Sequence, residues 1–189
     1  MVPRTAWEHF WLGRSFLRSG NLTQAVAEFD RALSLNPKEF WASFYRGQCS
    51  YRLQHYSEAV NAFSICLALT PKSAQCFYNR ALAQNALGDT EKALLDYDRA
   101  LELDTTLAAA ALNRGILHYN AKRYSAAIAD LERALRIGAD AGTVHYNLAL
   151  IHLANGDRAK ALSSVRTALE QPGEQPDARN LLNRLIRQP

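Results

Sequence analysis

The sequence predicts an all-α protein, a right-handed α-solenoid of stacked antiparallel helix pairs with about eleven helices. Three observations carry this. Ala and Leu supply 58 of the 189 residues while Val and Ile supply only 11, so unbranched helix formers dominate and a sandwich, barrel or parallel sheet is disfavoured. The sequence matches itself at a shift of 34 residues: Ala25, Ala59, Ala93, Ala127 and Ala161 share one phase, and Leu33, Leu67, Leu101, Leu135 and Leu169 another. Small and large side chains also alternate in step. Ala32, Cys66, Ala100, Ala134 and Ala168 hold one further phase, Gly13, Gly47, Ala81, Gly115 and Ala149 the next, and Phe29, Phe63, Tyr97, Leu131 and Val165 a fifth.

Within each copy the first helix carries the small residue at its middle. A turn follows, marked by Gly20, Gly88 and Gly156 at one phase. The second helix places apolar or small groups at i, i+4, i+7 and i+8, which is one helical face. Asn36-Pro37 and Thr70-Pro71 put a capping side chain before a Pro, the preferred start of a following helix, and Asp104 keeps that cap without the Pro. Gly138 is placed to end one helix and Asp140 to begin the next. Helices approach to ~8 Å only where side chains are short, so Gly or Ala on the first helix is expected to face Ala on the second, with the large phase filling the space beyond. A Leu at Ala93 would overpack that crossing by roughly 1–3 kcal/mol. A lone pair cannot bury its apolar face, so neighbours must stack.

The run Leu12-Gly13-x-x-Phe16, Ala25-x-x-x-Phe29-x-x-Ala32 and Pro37 resembles the tetratricopeptide repeat. The resemblance covers five copies, 6–39, 40–73, 74–107, 108–141 and 142–175, after a short N-terminal tail at 1–5. Segment 176–189 resembles the solvating helix that caps such arrays. Departures are local: Thr105, Ala139 and Gly173 replace the closing Pro, and His9, Ser43, Ala111 and His145 the opening aromatic. Copies one to four are also similar to arrays appended to bacterial serine/threonine kinases, although no kinase motif is present.

The resemblance implies that a protein or extended peptide binds the inner face lined by the first helices. There the sequence offers Trp7, Phe10, Trp11, Arg14 and Arg18 in copy one, and Trp41, Phe44, Tyr45, Gln48 and Arg52 in copy two. Later copies offer Tyr78, Asn79, Asn113, Tyr119 and Asn147. All three Trp fall in the first 41 residues. Aromatic faces beside Arg forks suit a partner with carboxylates and apolar or Pro anchors. Asn79, Asn113 and Asn147 form a ladder able to clamp a peptide backbone, since an amide carries a donor and an acceptor side by side. The alternative is that the aromatic, uncapped first copy serves intramolecular docking in a larger protein or homo-oligomerisation. The family's clamp for a C-terminal carboxylate needs Lys and Arg at inward phases that here hold Phe, Tyr, Gln and Asn, so a chaperone-tail receptor of that kind is disfavoured.

Other functional classes find no support. His9, His55, His118, His145 and His152 are dispersed without metal-ligand spacing, and no nucleotide-binding or nucleophile motif occurs. An enzyme is therefore not expected, nor a cofactor or metal. The net charge of +4 falls short of a nucleic-acid-binding stripe. No apolar leader or membrane span is evident, and Cys49, Cys66 and Cys76 are odd in number without C-x-x-C spacing, so the expectation is a cytoplasmic protein with reduced core cysteines. Arg46, Arg80 and Arg114 fall one residue after the inward ladder, and Asp96 and Asp130, with Glu28 in the same slot, recur on the second helices. Pairing between these two sets would be structural.

Overall fold

A computed structural model describes residues 4–187. Positions 1–3 of the N-terminal tail and 188–189 of the capping segment lie outside the described residues. Eleven α-helices and no strands occur among the described residues: α1 (Ala6–Arg18), α2 (Leu22–Leu35), α3 (Phe40–Arg52), α4 (Tyr56–Leu69), α5 (Ala74–Ala86), α6 (Thr90–Leu103), α7 (Ala108–Asn120), α8 (Tyr124–Arg136), α9 (Ala141–Ala154), α10 (Arg158–Leu169) and α11 (Pro176–Arg187). The class is an all-α solenoid of helix pairs. The chain divides into two compact units, Met1–Asp104 with α1–α6 and Thr105–Pro189 with α7–α11.

In the first unit α1 packs on α2, α3 on α4 and α5 on α6, and the pairs meet through α2 on α3 and α4 on α5. The second unit repeats the scheme with α7 on α8, α9 on α10, and α11 closing on α10. Both are held by the phases read from the sequence. Ala25, Ala59, Ala93, Ala127 and Ala161 are all 0% exposed, as are Ala32, Cys66, Ala100, Ala134 and Ala168. Phe29, Phe63, Tyr97, Leu131 and Val165 are no more than 1% exposed, each burial worth about 1.5–3 kcal/mol before entropy is counted.

At Gly13 and Gly47 the nearest neighbour on the second helix is the large residue and not the expected Ala. A Cβ on Gly13 would lie 2.8 Å from the Phe29 ring, and one on Gly47 would lie 2.8 Å from Phe63. The glycine is thus a seat for the large residue of the paired helix, and the two phases form one contact. Gly115 is an intermediate case, with Leu131 Cγ and the Ala127 carbonyl oxygen both at 3.2 Å from its would-be Cβ.

Helix ends also differ from expectation in one respect. Asn36, Thr70 and Asp104 close α2, α4 and α6 instead of opening the next helix; α3 and α5 begin after Glu39 and Ser73. Pro37 and Pro71 lie in the turns that connect the helices. Asp140 does open α9, its carboxylate accepting from the Thr143 N–H at 2.7 Å. That bond holds the Asp140 carboxyl below its usual value. Thr5 and Glu8 cap α1 reciprocally. The turn after each first helix is a Schellman closure: Asn21 N–H donates to the Phe16 carbonyl while Gly20 sits at φ 79°. Gly88 and Gly156 repeat it, but Gln54 (φ 63°) and Lys122 (φ 60°) take the same left-handed position without being glycine.

Cys49, Cys66 and Cys76 are free and buried. Burial pushes the Cys49 thiol up to about 11, against a smaller opposing pull from Arg52.

Candidate peptide-binding site

The first helices of the opening two pairs, α1 and α3, carry a continuous run of aromatic rings. Trp7 meets Trp11 edge-on at 5.3 Å, and Trp11 meets Phe10 at 5.5 Å. Phe10 reaches Tyr45 between α1 and α3 at 6.2 Å, and Tyr45 stacks on Trp41 at 5.9 Å. The run exists because Trp7 and Trp41 share one repeat phase, Phe10 and Phe44 the next used, and Trp11 and Tyr45 a third. Helical periodicity places all three phases on neighbouring faces.

Burial divides this run into two layers. Trp7, Trp11 and Trp41 are 63%, 46% and 51% exposed. Phe10 and Phe44 are buried in the cores beneath, against Phe29 and Phe63. They were expected to line the binding face; in the structure they support it, because one step of 100° around the helix separates a groove position from the inter-helix seam. Tyr45 and Gln48 are half-buried.

The arginines also separate. Arg14 lies over the Tyr45 ring with its guanidinium carbon 4.2 Å from the centroid, and 5.8 Å from that of Trp11. This cation–π contact holds the guanidinium against the aromatic run. Arg18 and Arg52 are exposed, and neither makes an ion pair or hydrogen bond within the described residues. They are available to carboxylates; the stacking of Arg14 is a feature that sequence reasoning did not foresee, though Arg at i+3 from Trp11 is its signal.

The amide ladder is partly engaged. Asn79 donates its Nδ2–H to the Gln75 carbonyl at 2.7 Å, and Asn147 donates to the Thr143 carbonyl at 2.8 Å. Each bond returns to the side chain's own helix, which fixes the amide and leaves its carbonyl oxygen and second N–H. Tyr78 and Tyr119 are half-buried and pack against Tyr97 and Tyr124, at 6.1 and 6.2 Å.

The structural arginines pair as read from the sequence, with one change. Arg80 grips Asp96 through two bonds, Nε–H to Oδ2 at 2.7 Å and an Nη2–H to Oδ1 at 2.8 Å, and donates to Ser64 at 3.1 Å. Arg114 grips Asp130 in the same way, at 2.8 and 2.5 Å. Arg46 instead takes Asp30, at 2.5 Å. Glu28 is occupied by His9, whose Nδ1 lies 2.6 Å from Oε2, and by Arg31. In copy two the Asp slot holds Ala62, so Arg46 turns back to the preceding second helix.

Among the described residues no group of three or more His, Cys, Asp or Glu side chains could hold a metal ion. No helix there is long and apolar enough to cross a membrane.

Helix pairs on a 34-residue period, seating a large residue of the second helix on a glycine of the first at Gly13 and Gly47, define a repeat protein of the kind used to hold other proteins. Three family models, each described as tetratricopeptide repeat, match residues 11–63, 74–106 and 119–185, and the chain belongs to the tetratricopeptide repeat family. No curated protein matches it. Among solved structures it is similar to MamA protein (18% identity, 90% of this chain and 98% of that one, TM-score 0.81). It is also similar to YrrB, described as a TPR protein with an unusual peptide-binding site (22% identity, 95% and 90%, TM-score 0.77). A third likeness is to the first TPR of Spaghetti (RPAP3), solved bound to the HSP90 peptide SRMEEVD (20% identity, 62% and 94%, TM-score 0.60). At these identities the likeness is one of fold. None of these matches is to a kinase.

Proposed function

We propose that this chain is a non-catalytic cytoplasmic scaffold that binds a protein or extended peptide along the first-helix face of its opening repeats. The repeat boundaries at 6–39, 40–73, 74–107, 108–141 and 142–175, with 176–189 as a cap, belong to the same reading. The observation that carries it is the exposure of Trp7, Trp11 and Trp41 in one run of ring contacts. Water-exposed indoles grouped on one face are the makings of an interface hot spot. Arg18 and Arg52 give that face a demand for carboxylates, and flat indole faces accept Pro or apolar side chains. The partner is accordingly an acidic segment with Pro or apolar anchors, and the amide of Asn79, in the same unit, would hold its backbone; Asn113 and Asn147 offer the same amide group within the second unit. YrrB and the Spaghetti repeat, both peptide-binding structures by their descriptions, support binding of this general kind.

All three Trp of the chain lie in the proposed site, so intrinsic fluorescence reports on it directly. A peptide alternating Pro and Glu should shift and saturate the emission of the wild type. Trp7→Ala/Trp41→Ala should weaken binding by about 2 kcal/mol or more, read by anisotropy of a labelled peptide, and Arg18→Glu/Arg52→Glu should abolish it.

The exposure of Trp7, the greatest of any Trp, also favours a second reading, in which the first repeat docks on another part of a larger protein or on a second copy. Light scattering separates the two. A dimer that becomes monomeric in Trp7→Ala/Trp11→Ala, with no response to the peptide, would replace the groove with a self-association surface.

A further inference from the structure

The second repeat keeps the donors of a recurring ion pair without its acid. Glu28, Asp96 and Asp130 stand at one phase on the second helices, and copy two holds Ala62 there. Each of the three acids is met from the paired first helix. His9 lies 2.6 Å from Glu28, Arg80 2.7 Å from Asp96, and Arg114 2.8 Å from Asp130. Copy two has a donor at both of these phases: Ser43 stands where copy one has His9, and Arg46 where copies three and four have Arg80 and Arg114. Copy five resolves the same loss differently. It replaces the acid by Ser164 and the arginine by Leu148 together.

The two donors of copy two line one cavity. It measures about 200 Å³ and lies between α2, α3 and α4, with Ala62 in its wall beside Ser43 and Arg46. Ser43 and Ala62 are 0% exposed. The Ser43 hydroxyl has no hydrogen-bond partner among the described residues, and a buried polar group left so is costly until something bonds it. Arg46 gives Nε–H to Asp30 and makes no other ion pair or hydrogen bond among the described residues. Both of its Nη groups therefore keep their donors. Leu33 and the partly exposed Ile65 add apolar wall. Asp30 also lines the cavity, but copy four carries acids at both corresponding phases around its arginine, Asp98 and Asp130. One guanidinium in this setting thus tolerates two carboxylates.

The geometry points to a binding site in this cavity for a carboxylate on a short apolar stem, which takes the place of the acid that copy two lacks. The Arg46 Nη–H groups and the Ser43 hydroxyl donate to its oxygens, and the stem lies against Leu33 and Ile65. The volume sets the size. It falls below the roughly 300–1,000 Å³ of pockets that hold drug-sized ligands, and suits a free acid of a few carbons or a single Glu or Asp side chain. Inorganic phosphate would match the charge and leave the apolar wall uncovered. The site shares no residue with the tryptophan face and does not rest on it.

The test titrates the full chain, labelled with ¹⁵N, with butyrate and with the blocked residue acetyl-Glu-amide. The amides of Ser43, Arg46 and Ala62 should shift and saturate. Tighter binding of butyrate marks a free acid as the ligand, and tighter binding of acetyl-Glu-amide a partner's side chain. Butyramide, which has the stem without the charge, should bind about tenfold more weakly or worse, and inorganic phosphate more weakly than butyrate. Arg46→Met should weaken butyrate binding by about tenfold or more, and Ser43→Ala by about threefold. Ala62→Asp supplies the acid from within, as in copies three and four; it should raise the melting temperature and abolish the butyrate shifts. Arg46→Met alters a side chain at the edge of the seam, so it decides the matter even where Ala62→Asp fails to fold. No saturable shifts with either acid, equal binding of butyramide, or undiminished butyrate binding in Arg46→Met would each overturn the proposal. The shifts should persist in Trp7→Ala/Trp41→Ala, so this site and the aromatic face fail separately.

Discussion

The α1–α3 end and the α9–α11 end fill the same repeat positions with opposed chemistry. Where α1 and α3 place Trp7 and Trp41, α9 and α11 place Thr143 and Asp177; where α1 has Arg14 stacked on Tyr45, α11 has the unstacked Arg184. Beneath both, the seam is almost unchanged: Ala25 and Ala161, Ala32 and Ala168, Phe29 and Val165 are each 0% exposed. The seam positions must satisfy close packing, where a methylene is felt. The groove positions meet only solvent or a partner. One fold can therefore present an aromatic face and a polar one without altering the helices that display them.

The comparison breaks most visibly at the arginine ladder. Arg46 in the first unit makes one bond to Asp30, whose side chain is 50% exposed; Arg114 in the second makes two to Asp130, at 8%. Removing Arg114 leaves the Asp130 carboxylate in a nearly dry seam with His118 Nε2 3.8 Å away. Arg114→Met should cost about 3 kcal/mol in urea denaturation, and Arg46→Met less than about 1 kcal/mol. Similar losses at both would mean that the ladder sets register alike in the two units and that exposure does not grade it.

What was legible in the sequence follows the same division. The seam could be read because its residues answer to one constraint repeated five times, and Ala93 or Val165 betrays its burial by phase alone. Phe10 and Phe44 were misplaced because they belong to both surfaces by spacing, and only the fit against Phe29 and Phe63 decides. Arg46 was not assigned to Asp30 because these arginines reach second helices on both sides: Arg80 bonds Asp96 and Ser64, sixteen residues after and before it, and at Arg46 the following position is Ala62. Asn36 and Thr70 carry side chains suited to either end of a helix, and the prolines after them do not choose.

A smaller effect tests whether the seam is as uniform as its burial. Gly47→Ala drives a Cβ to 2.8 Å from the Phe63 ring, while Gly115→Ala brings one only to 3.2 Å from Leu131 Cγ, Asp130 Cβ and the Ala127 carbonyl oxygen, so a shift of a few tenths of an ångström makes room for it. The first should cost about 1–3 kcal/mol, and the second about 1 kcal/mol or less. If Gly115→Ala proves the costlier, the Ala127 carbonyl is the rigid wall, and the second unit is the more tightly seated of the two.

The smallest effect concerns the turns, where the units differ by residue type at a fixed geometry. Gly88 in the first unit holds φ 84° at no steric cost; Lys122 in the second holds φ 60° with a Cβ. A left-handed residue other than glycine gives up about 1 kcal/mol to the clash of its Cβ with the backbone. Lys122→Gly relieves that strain and returns part of the gain as extra freedom of the unfolded chain. The net should be a stabilisation of a few tenths up to about 1 kcal/mol, seen as a raised melting temperature, with Gln54→Gly behaving alike. Gly88→Ala should lose about 1 kcal/mol, since the turn's Schellman bonds, Gly88 N–H to the Asn85 carbonyl and Asp89 N–H to the Gln84 carbonyl, forbid the residue from relaxing to negative φ. A destabilised Lys122→Gly would show that the lysine side chain contributes at that turn more than its backbone strain removes.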